Sequence, residues 1–436
     1  MILLAYFYTV IIQVNDPEDF KQKALQWASS FDVFCYLDSN NFVDKYSKFD
    51  LLLAVGVKDE ITTIAGSAFK DLEQFRTKNP GWITGFFTYD LKNEIENLSS
   101  ENPDQLQFPD LYFFSPRHLI LIRNGEVEII SDEEQQVIDQ IKSQTIQQAD
   151  AFFNVQLSSR FSKEEYMETV IKIKEHISRG DIYVTNFCQE FFAENVVIDP
   201  LAIFQKLNAI SPNPLAAFFK LRDQYILSAS PERFLAKRGN KLISQPIKGT
   251  SKRFENSEED KISKANLRGH PKELQENVMV VDLVRNDLTK SAVPGTVNTE
   301  ELFGIYSFKQ VHQMISTVVC ELRDDVTPVE AIKNTFPMGS MTGAPKISAM
   351  QLMEQFERSK RGVYSGAIGY FSPDGDFDFN VVIRTLLYDS TNKYLSFQVG
   401  GAITYHAEPE KEYEECLLKA QAILEVLGQT VSSDRP

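Results

Sequence analysis

The segment Gln245–Thr250, which reads QPIKGT, places a lysine where its side chain could do chemistry. Most lysines hold their ammonium group in water, and on that interpretation Lys248 only ends a strand. A lysine that is withdrawn from water can instead act as a nucleophile. The segment alone leaves both interpretations open.

Three glutamates form a candidate site for a hard cation. On the helix predicted for EYEECLLKAQAILEVL, Glu412 and Glu415 lie three residues apart on one flank, together with Lys419. A solvated, charged flank would explain them, but two such carboxylates can also share a Mg²⁺ ion. Glu276 lies in the apolar helical segment QENVMVVDLVRND, where a charge needs a partner or a metal. Glu276, Glu412 and Glu415 are therefore candidate magnesium ligands.

Two further features indicate that carboxylates bind near this cation. Gly400 and Gly401 interrupt the apolar strand QVGGAIT, where glycine weakens a strand unless another group approaches the backbone closely. Arg384 lies in the predicted strand VVIRTLLY between apolar residues, and an inward arginine requires an anion. The combination favours a small molecule with more than one carboxylate, bound beside a Mg²⁺ ion and a lysine.

The composition is that of a globular protein of 436 residues with a formal charge of −16. The hydrophobic fraction of 43% excludes a disordered chain, and the length allows more than one structural lobe. No basic run could follow a phosphate backbone, so nucleic acid is not an expected partner. The four cysteines form no CxxC pair, which excludes a cysteine zinc site and is typical of a reducing compartment.

The start of the chain, MILLAYFYTVIIQV, lacks the basic region and the cleavage site of a secretory signal. It is predicted to form a first, buried strand. No apolar run is long enough to span a membrane. We therefore expect a cytoplasmic protein with no membrane partner.

The order of the predicted elements indicates an α+β fold. Strands such as FDLLLAVGV, HLILIRNGEVEII and YLSFQVGGAIT come in hairpin-spaced groups, which favours antiparallel pairing. A capping box at Ser162–Glu165 predicts the start of a helix that Gly180 ends. The polar, Gln-rich segment 133–150 is predicted to be a linker or an exposed connecting helix.

Several segments resemble, in their order and spacing, the chorismate-utilising enzymes: SASPERFL, QPIKGT, ENVMVVDLVRNDL, FPMGSMTGAPK, SGAIGYF, VVIRT, QVGGAI and EYEECLLKA. The resemblance covers residues 155 to 430, and GWITGFFTYDLK is similar to the first lobe of that family more faintly. It implies two intertwined lobes with large antiparallel sheets flanked by helices. The expected division is an N-terminal lobe at 1–150, a chorismate-binding catalytic domain at 151–430 and a disordered tail at 431–436.

Two positions narrow the resemblance to one branch of the family. Relatives that add water carry a lysine where this chain has Val184, which argues against isochorismate and salicylate synthases. Anthranilate synthases carry Pro-Ile-Ala-Gly-Thr, whereas the aminodeoxychorismate synthases of folate (para-aminobenzoate) biosynthesis carry Pro-Ile-Lys-Gly-Thr, as at Lys248. The chain resembles component I of the second group. Component I of anthranilate synthase and a non-catalytic chorismate-binding protein remain as alternatives.

The resemblance implies a mechanism for the amination of chorismate. Glu232 donates a proton to the departing C4 hydroxyl while Lys248 attacks C2 and forms a covalent adduct. Ammonia then adds at C4 and expels the lysine. A nucleophilic lysine must be neutral, so we expect Lys248 to be desolvated. A proton donor that works near neutral pH requires a raised pKa for Glu232.

The resemblance also assigns three groups of residues around the substrate. A Mg²⁺ ion held by Glu276, Glu412 and Glu415 binds the ring carboxylate, aided by Gly400, Gly401 and Ala402. Tyr364 and Arg384 bind the enolpyruvyl carboxylate. The residues that line the rest of the site are Gly249, Thr250, Ser340 and Lys419.

This chain departs from the family at several positions. Gln313 occupies the place where relatives usually have a histidine, and Glu190 stands where relatives often have arginine. The sequence contains no Gly-x-Cys-x-Gly nucleophile turn of a glutaminase. The resemblance therefore implies that ammonia comes from a separate glutaminase subunit or from solvent.

Overall fold

The computed structural model describes residues 9–146 and 155–429. Its strands join into one hydrogen-bonded network in which every pairing is antiparallel. The strands are β1 (Thr9–Gln13), β2 (Val33–Asp38), β3 (Leu51–Thr63), β4 (Ile83–Phe87), β5 (Leu111–Arg123), β6 (Glu126–Ile130), β7 (Ser158–Ser159), β8 (Val184–Ala193), β9 (Leu215–Leu221), β10 (Gln224–Ser230), β11 (Arg233–Arg238), β12 (Lys241–Gln245), β13 (Ile247–Lys252), β14 (Asn298–Ser307), β15 (Val311–Glu321), β16 (Gly343–Ala344), β17 (Ala367–Phe371), β18 (Phe377–Asn380), β19 (Thr385–Asp389) and β20 (Tyr394–Ile403).

Helices accompany the strands along the chain, which confirms the predicted α+β fold. They are α1 (Pro17–Ala28), α2 (Ala68–Lys78), α3 (Lys92–Ile95), α4 (Glu134–Lys142), α5 (Lys163–Arg179), α6 (Pro200–Ile210), α7 (Ser257–Gly269), α8 (Pro271–Thr289), α9 (Pro328–Thr335), α10 (Lys346–Phe356) and α11 (Pro409–Val426). No helix among the described residues is long and apolar enough to cross a membrane.

The two halves of the chain share the strand network. Strand β2 pairs with β9, starting from Val33 opposite Leu221, and β4 pairs with β17. One buried cluster contains only strand and loop residues from both halves, including Phe86 of β4 and Phe219 of β9. The lobes are therefore intertwined, while the boundary at residue 150 stays a prediction.

Helices cover the strands on two sides. One buried cluster packs α1, α4, α5, α6 and α11 against the strands, with Phe20, Tyr166 and Phe204 among its members. A second cluster packs α2, α8 and α9, with Phe69 and Val281 among its members. Helices α8 and α11, which carry the predicted magnesium ligands, thus belong to different helical layers.

A capping box and a glycine mark the start and the end of α5. The Ser162 hydroxyl accepts a hydrogen bond from the Glu165 N–H, and the Glu165 carboxylate accepts one from the Ser162 N–H. The helix ends at Gly180, whose φ of 87° lies in the left-handed region that favours glycine. The predicted capping box and helix end are confirmed.

Two expectations about exposure are corrected. Strand β1 was expected to be buried, but its side chains alternate between exposed and half-buried. Among the described residues it pairs only with β6, so it lies at an edge of the strand network. Helix α4 was expected to be a linker or an exposed helix, but it buries Val137, Ile138 and Ile141 in the core. Residues 1–8, the end of segment 133–150 and the predicted disordered tail at 431–436 lie outside the described residues.

Candidate active site

A cavity of about 910 Å³ lies between β13, β15 and β20 on one side and α8 and α11 on the other. Twelve of the fourteen predicted site residues line it: Glu232, Lys248, Gly249, Thr250, Glu276, Ser340, Tyr364, Arg384, Gly400, Ala402, Glu415 and Lys419. The remaining two, Gly401 and Glu412, lie beside it. A Cβ atom on Gly401 would lie 3.3 Å from Glu412 Oε2.

A bulge in β13 directs Lys248 into this cavity. The pairing of β13 with β15 shifts register between Ile247 and Thr250, so an irregularity includes Lys248 and Gly249. Gly249 has a φ of 102°, a backbone conformation that other residues rarely adopt. A bulge of this kind changes the direction of a side chain. The glycine after the lysine therefore allows the bulge, and regular pairing resumes at Thr250.

The backbone of Lys248 is anchored by α8 and β15. Asn277 Nδ2 donates a hydrogen bond to the Lys248 carbonyl oxygen at 3.2 Å, and Ser316 Oγ donates to Asn277 Oδ1 at 2.6 Å. Asn277 and Ser316 are both buried. The Lys248 ammonium has neither a hydrogen bond nor an ion pair with the described residues, so it is available to a ligand. Asn277 is not among the predicted site residues, although a polar residue in an apolar helix needs a partner.

Glu232 lies between β10 and β11 and is buried, with 4% of its surface exposed. The Val381 N–H donates to its carbonyl oxygen at 2.9 Å, which ties it to the segment before Arg384. Burial raises the pKa of Glu232 to about 7, while Ser340, Lys248 and Arg384 oppose this rise. The carboxyl group can therefore hold a proton near neutral pH, the direction expected from the sequence.

Arg384 does not lie in a strand as predicted, because β19 begins at the next residue. Its φ of 51° lies in the left-handed region, which a residue with a side chain rarely adopts. Its guanidinium group has no hydrogen bond or ion pair with the described residues. Burial lowers the pKa of Arg384 to about 10, and the charge of Glu232 opposes this. An unpaired arginine in a cavity is suited to bind an anion.

Tyr364 lies in the same wall and is buried, with 4% of its surface exposed. Its hydroxyl oxygen accepts a hydrogen bond from Cys188 Sγ at 3.8 Å. Ser340 is buried as well, and its hydroxyl lies close enough to the Glu232 carboxyl group to lower the pKa of that group.

Four carboxylates influence one another where α8 faces α11: Glu273 and Glu276 of α8, and Glu412 and Glu415 of α11. Burial raises the pKa of Glu273, Glu276 and Glu412, and the charge of Glu415 adds to each rise. Glu276 Oε1 is buried and has no hydrogen-bond partner in the described ranges. Such an oxygen-rich group of buried charges fits a hard divalent cation. Glu273 is not among the predicted site residues, although it lies three residues before Glu276 on the same helix face.

Two lysines pair with these carboxylates. Lys272 Nζ lies 3.3 Å from Glu412 Oε1, and Lys419 Nζ lies 2.8 Å from Glu415 Oε1. The charge of Lys419 lowers the pKa of Glu415 to about 2. Within residues 9–146 and 155–429, no three or more His, Cys, Asp or Glu side chains are already arranged as a metal site. Glu412 and Glu415 are instead paired with ammonium groups.

The two glycines of β20 have different neighbours. A Cβ atom on Gly400 would lie 2.4 Å from the Phe187 carbonyl oxygen of β8, so the adjacent strand explains why this residue is glycine. Gly401 faces Glu412 instead. Lys419 Nζ donates a hydrogen bond to the Gly400 carbonyl oxygen at 3.0 Å. The close approach that requires glycine at position 400 is therefore that of strand β8, whereas the sequence had suggested a bound carboxylate.

The rim of the cavity is fixed by Asp260 of α7. Its carboxylate accepts hydrogen bonds from Arg253 Nε at 2.9 and 3.0 Å and from the Phe254 N–H at 2.9 Å. His312 Nε2 lies 3.0 Å from the same carboxylate. Arg253 and Phe254 line the cavity. These rim residues are not among the predicted site residues, since their charges resemble those of any exposed helix.

The two departures from the family have different surroundings. Gln313 lines the cavity, and its Oε1 is buried without a hydrogen-bond partner among the described residues. Glu190 is buried elsewhere and accepts hydrogen bonds from Arg160 Nε at 2.8 Å and Ser396 Oγ at 2.7 Å. Arg160 thus provides the positive charge beside Glu190, whereas Gln313 is available to a ligand.

Comparison with known proteins places this site in a family. The model of the chorismate binding enzymes matches residues 33–425. The aminodeoxychorismate synthase component 1 of Klebsiella aerogenes is 34% identical over 80% of this chain and 77% of its own length. A probable chloroplastic aminodeoxychorismate synthase of Oryza sativa is 34% identical over 83% of this chain. The chain spans 45% of the length of that rice protein.

A solved structure supports the same assignment. Anthranilate synthase component I from Streptococcus pneumoniae superposes with a TM-score of 0.76 and 25% identity, over 87% of this chain and 93% of that protein. Relatives named anthranilate synthase component 1 also match most of the sequence. The match of the family model over most of the chain, and the cavity formed by the family's motifs, show that this protein belongs to the chorismate binding enzyme family.

Proposed function

We propose that the chain is component I of an aminodeoxychorismate synthase, which converts chorismate and ammonia into 4-amino-4-deoxychorismate for folate biosynthesis. The observation that carries the proposal is the position of Lys248. It lies on a bulge inside the cavity, which Glu232 and Glu276 also line. In the motif Pro-Ile-Ala-Gly-Thr of anthranilate synthases, alanine takes the place of this lysine.

The proposed reaction uses Glu232 and Lys248 on one substrate. Glu232, protonated near neutral pH, gives its proton to the C4 hydroxyl, which leaves as water while the neutral Lys248 amine bonds to C2 and the ring double bonds shift. Ammonia then bonds to C4, the double bonds shift back, and the C2–nitrogen bond breaks to return the neutral lysine. The new ammonium group at C4 returns one proton to the Glu232 carboxylate. Nitrogen thus replaces oxygen at C4.

The two ends of the cavity suit the two substrate carboxylates. Arg384, which lacks a partner among the described residues, and Tyr364 would bind the enolpyruvyl carboxylate. Glu276, Glu412 and Glu415 would hold a Mg²⁺ ion. When bound there, this ion would supply the positive charge that attaches the ring carboxylate to an acidic wall.

Ammonia would reach this chain from a separate glutaminase subunit. The sequence has no nucleophile turn of a glutaminase, and the Klebsiella relative is named component 1. The chain would therefore use ammonium by itself and glutamine only with that partner.

A second candidate is component I of anthranilate synthase. It is favoured by the structural match to the Streptococcus protein and by the relatives that carry this name. That reaction places nitrogen at C2 and releases pyruvate, so its product is a fluorescent aromatic amine. The two candidates differ in the carbon that receives nitrogen.

The test is to incubate the purified chain with chorismate, Mg²⁺ and ammonium and to determine the product by mass spectrometry, NMR and fluorescence. We expect a product with an amine at C4 that retains the enolpyruvyl group. Anthranilate fluorescence without an added lyase would favour the second candidate. Absence of any Mg²⁺-dependent turnover would favour a non-catalytic chorismate-binding protein.

Variants of Lys248 test the covalent step. Lys248→Ala should form far less of the 4-amino product. The activity that remains should shift toward amination at C2, because no lysine amine occupies that carbon. Lys248→Arg should not restore activity, since a guanidinium group stays protonated and cannot attack. Lys261→Ala, on the surface of α7, is the matched control and should retain full activity. An active Lys248→Arg enzyme that makes only the C4 amine would contradict a covalent lysine.

A further inference from the structure

Lys272 lies among the carboxylates that are candidates to hold a metal. It belongs to the first turn of α8 and reaches across to α11. Its Nζ lies 3.3 Å from Glu412 Oε1 and 3.8 Å from Glu276 Oε1. Glu412 is 2% exposed and the Glu276 side chain is 11% exposed, so water cannot replace a counter-ion at either group.

The ammonium group of Lys272 can leave this position. Its side chain is 38% exposed, and both distances to its partners are longer than those of a strong charge-assisted hydrogen bond. A lysine has a flexible stem, so the group can move to the solvent at the cavity mouth. Lys419 differs, because it is held at 2.8 Å by Glu415 and at 3.0 Å by the Gly400 carbonyl oxygen.

We propose that Lys272 is a displaceable counter-ion that neutralises Glu276 and Glu412 in the metal-free protein and competes with Mg²⁺ for them. This inference rests on the proposed magnesium site. Lys272 then stabilises the protein before the metal binds, and it weakens the affinity for Mg²⁺. It also prevents four neighbouring carboxylates from repelling one another while the site is without metal.

The test is a titration of Mg²⁺ into the protein without chorismate, measured by isothermal calorimetry, together with melting in EDTA and in excess Mg²⁺. Lys272→Met should bind Mg²⁺ about five- to tenfold more tightly than the wild type, since a competing contact near 1 kcal/mol changes affinity by that factor. It should melt at a lower temperature than the wild type in EDTA and recover in excess Mg²⁺. Lys272→Gln, which keeps a hydrogen-bond donor, is the second variant if the methionine variant does not fold.

The matched control is Lys290→Met, which removes the same charge from the other end of α8. Lys290 lies about 27 Å from Lys272 along the helix axis and pairs with Asp287, so its loss should leave Mg²⁺ affinity unchanged. Equal or weaker Mg²⁺ binding by both Lys272 variants would overturn the inference. If neither variant nor wild type binds Mg²⁺, the proposed metal site falls together with the inference. If the Lys272 variants bind Mg²⁺ more tightly but the wild type does not aminate chorismate, the proposed reaction is wrong while the role of Lys272 is retained.

Discussion

At the scale of single residues, burial decides which side chains can do chemistry. Glu232 and Arg384 lie in one cavity, and burial shifts both toward their neutral forms. Glu415 is shifted the other way, because the charge of Lys419 holds it ionised. The cavity therefore contains a proton donor at one position and a fixed negative charge at another, as acid–base chemistry beside a cation requires.

Replacing Glu232 by glutamine tests the proton donor. An amide cannot protonate a departing hydroxyl group, so Glu232→Gln should reduce kcat for amination by about a hundredfold or more. The kcat of the wild type should fall above pH 7, where Glu232 loses its proton. Glu258→Gln, at an exposed site on α7, should behave as the wild type. A Glu232→Gln enzyme with undiminished kcat would assign the proton to another group.

The same variant should change how stability depends on pH. The pKa of Glu232 is raised from 4.5 to about 7, so between these values the folded protein binds more protons than the unfolded chain. The wild type should thus lose stability as the pH rises through this window, by roughly 3 kcal/mol in all. Glu232→Gln lacks this loss, so its stability relative to the wild type should increase from pH 5 to pH 8. Urea unfolding at both pH values measures the difference, and parallel curves would contradict the raised pKa.

At the scale of elements, the site depends on close strand pairing and on one irregular strand. Gly400 allows β20 to approach β8, and the bulge of β13 directs Lys248 into the cavity. The glycine pattern in QVGGAIT and the lysine in QPIKGT were visible in the sequence. The bulge was not, because it depends on the register of β13 against β15, a strand about sixty residues later.

Alanine at the two glycines of β20 should have different consequences. In Gly400→Ala the added Cβ would lie 2.4 Å from the Phe187 carbonyl oxygen, so β20 and β8 must separate. We expect a loss of roughly 1 to 3 kcal/mol in the free energy of unfolding. In Gly401→Ala the nearest atom is Glu412 Oε2 at 3.3 Å, so stability should change little while Mg²⁺ binding weakens. Equal unfolding free energies for the two variants would contradict this assignment.

Contacts between distant parts of the chain set the limit of what the sequence could predict. The resemblance to the family assigned fourteen site residues, and twelve of them line one cavity. Lys272 pairs with Glu412 across 140 residues, and neither residue's local sequence indicates the other. Arg384 was placed in a strand because its neighbours are apolar, but its left-handed φ excludes that conformation. Family motifs thus indicate which residues belong to the site, whereas the contacts between those residues depend on the tertiary fold.

At the scale of the whole molecule, the two halves of the chain provide strand partners for each other. Strand β9 lies beside β2 and β10, and β17 lies beside β4 and β18. A chain cut at the predicted boundary would therefore expose unpaired strand edges and apolar faces in both parts. Sheets with such long-range pairing form slowly and cooperatively.

Separate expression of residues 1–150 and 151–436 tests whether the catalytic half folds alone. We expect both fragments to aggregate when expressed singly, because β2, β4, β9 and β17 would each lack a partner strand. Expressed together, they should associate and recover Mg²⁺ binding, since the strand pairing does not need a continuous chain. Circular dichroism, gel filtration and calorimetry measure these outcomes, with the uncut chain as the control. A folded fragment 151–436 that binds Mg²⁺ with the affinity of the uncut chain would show that the catalytic half folds without strand partners from the first lobe.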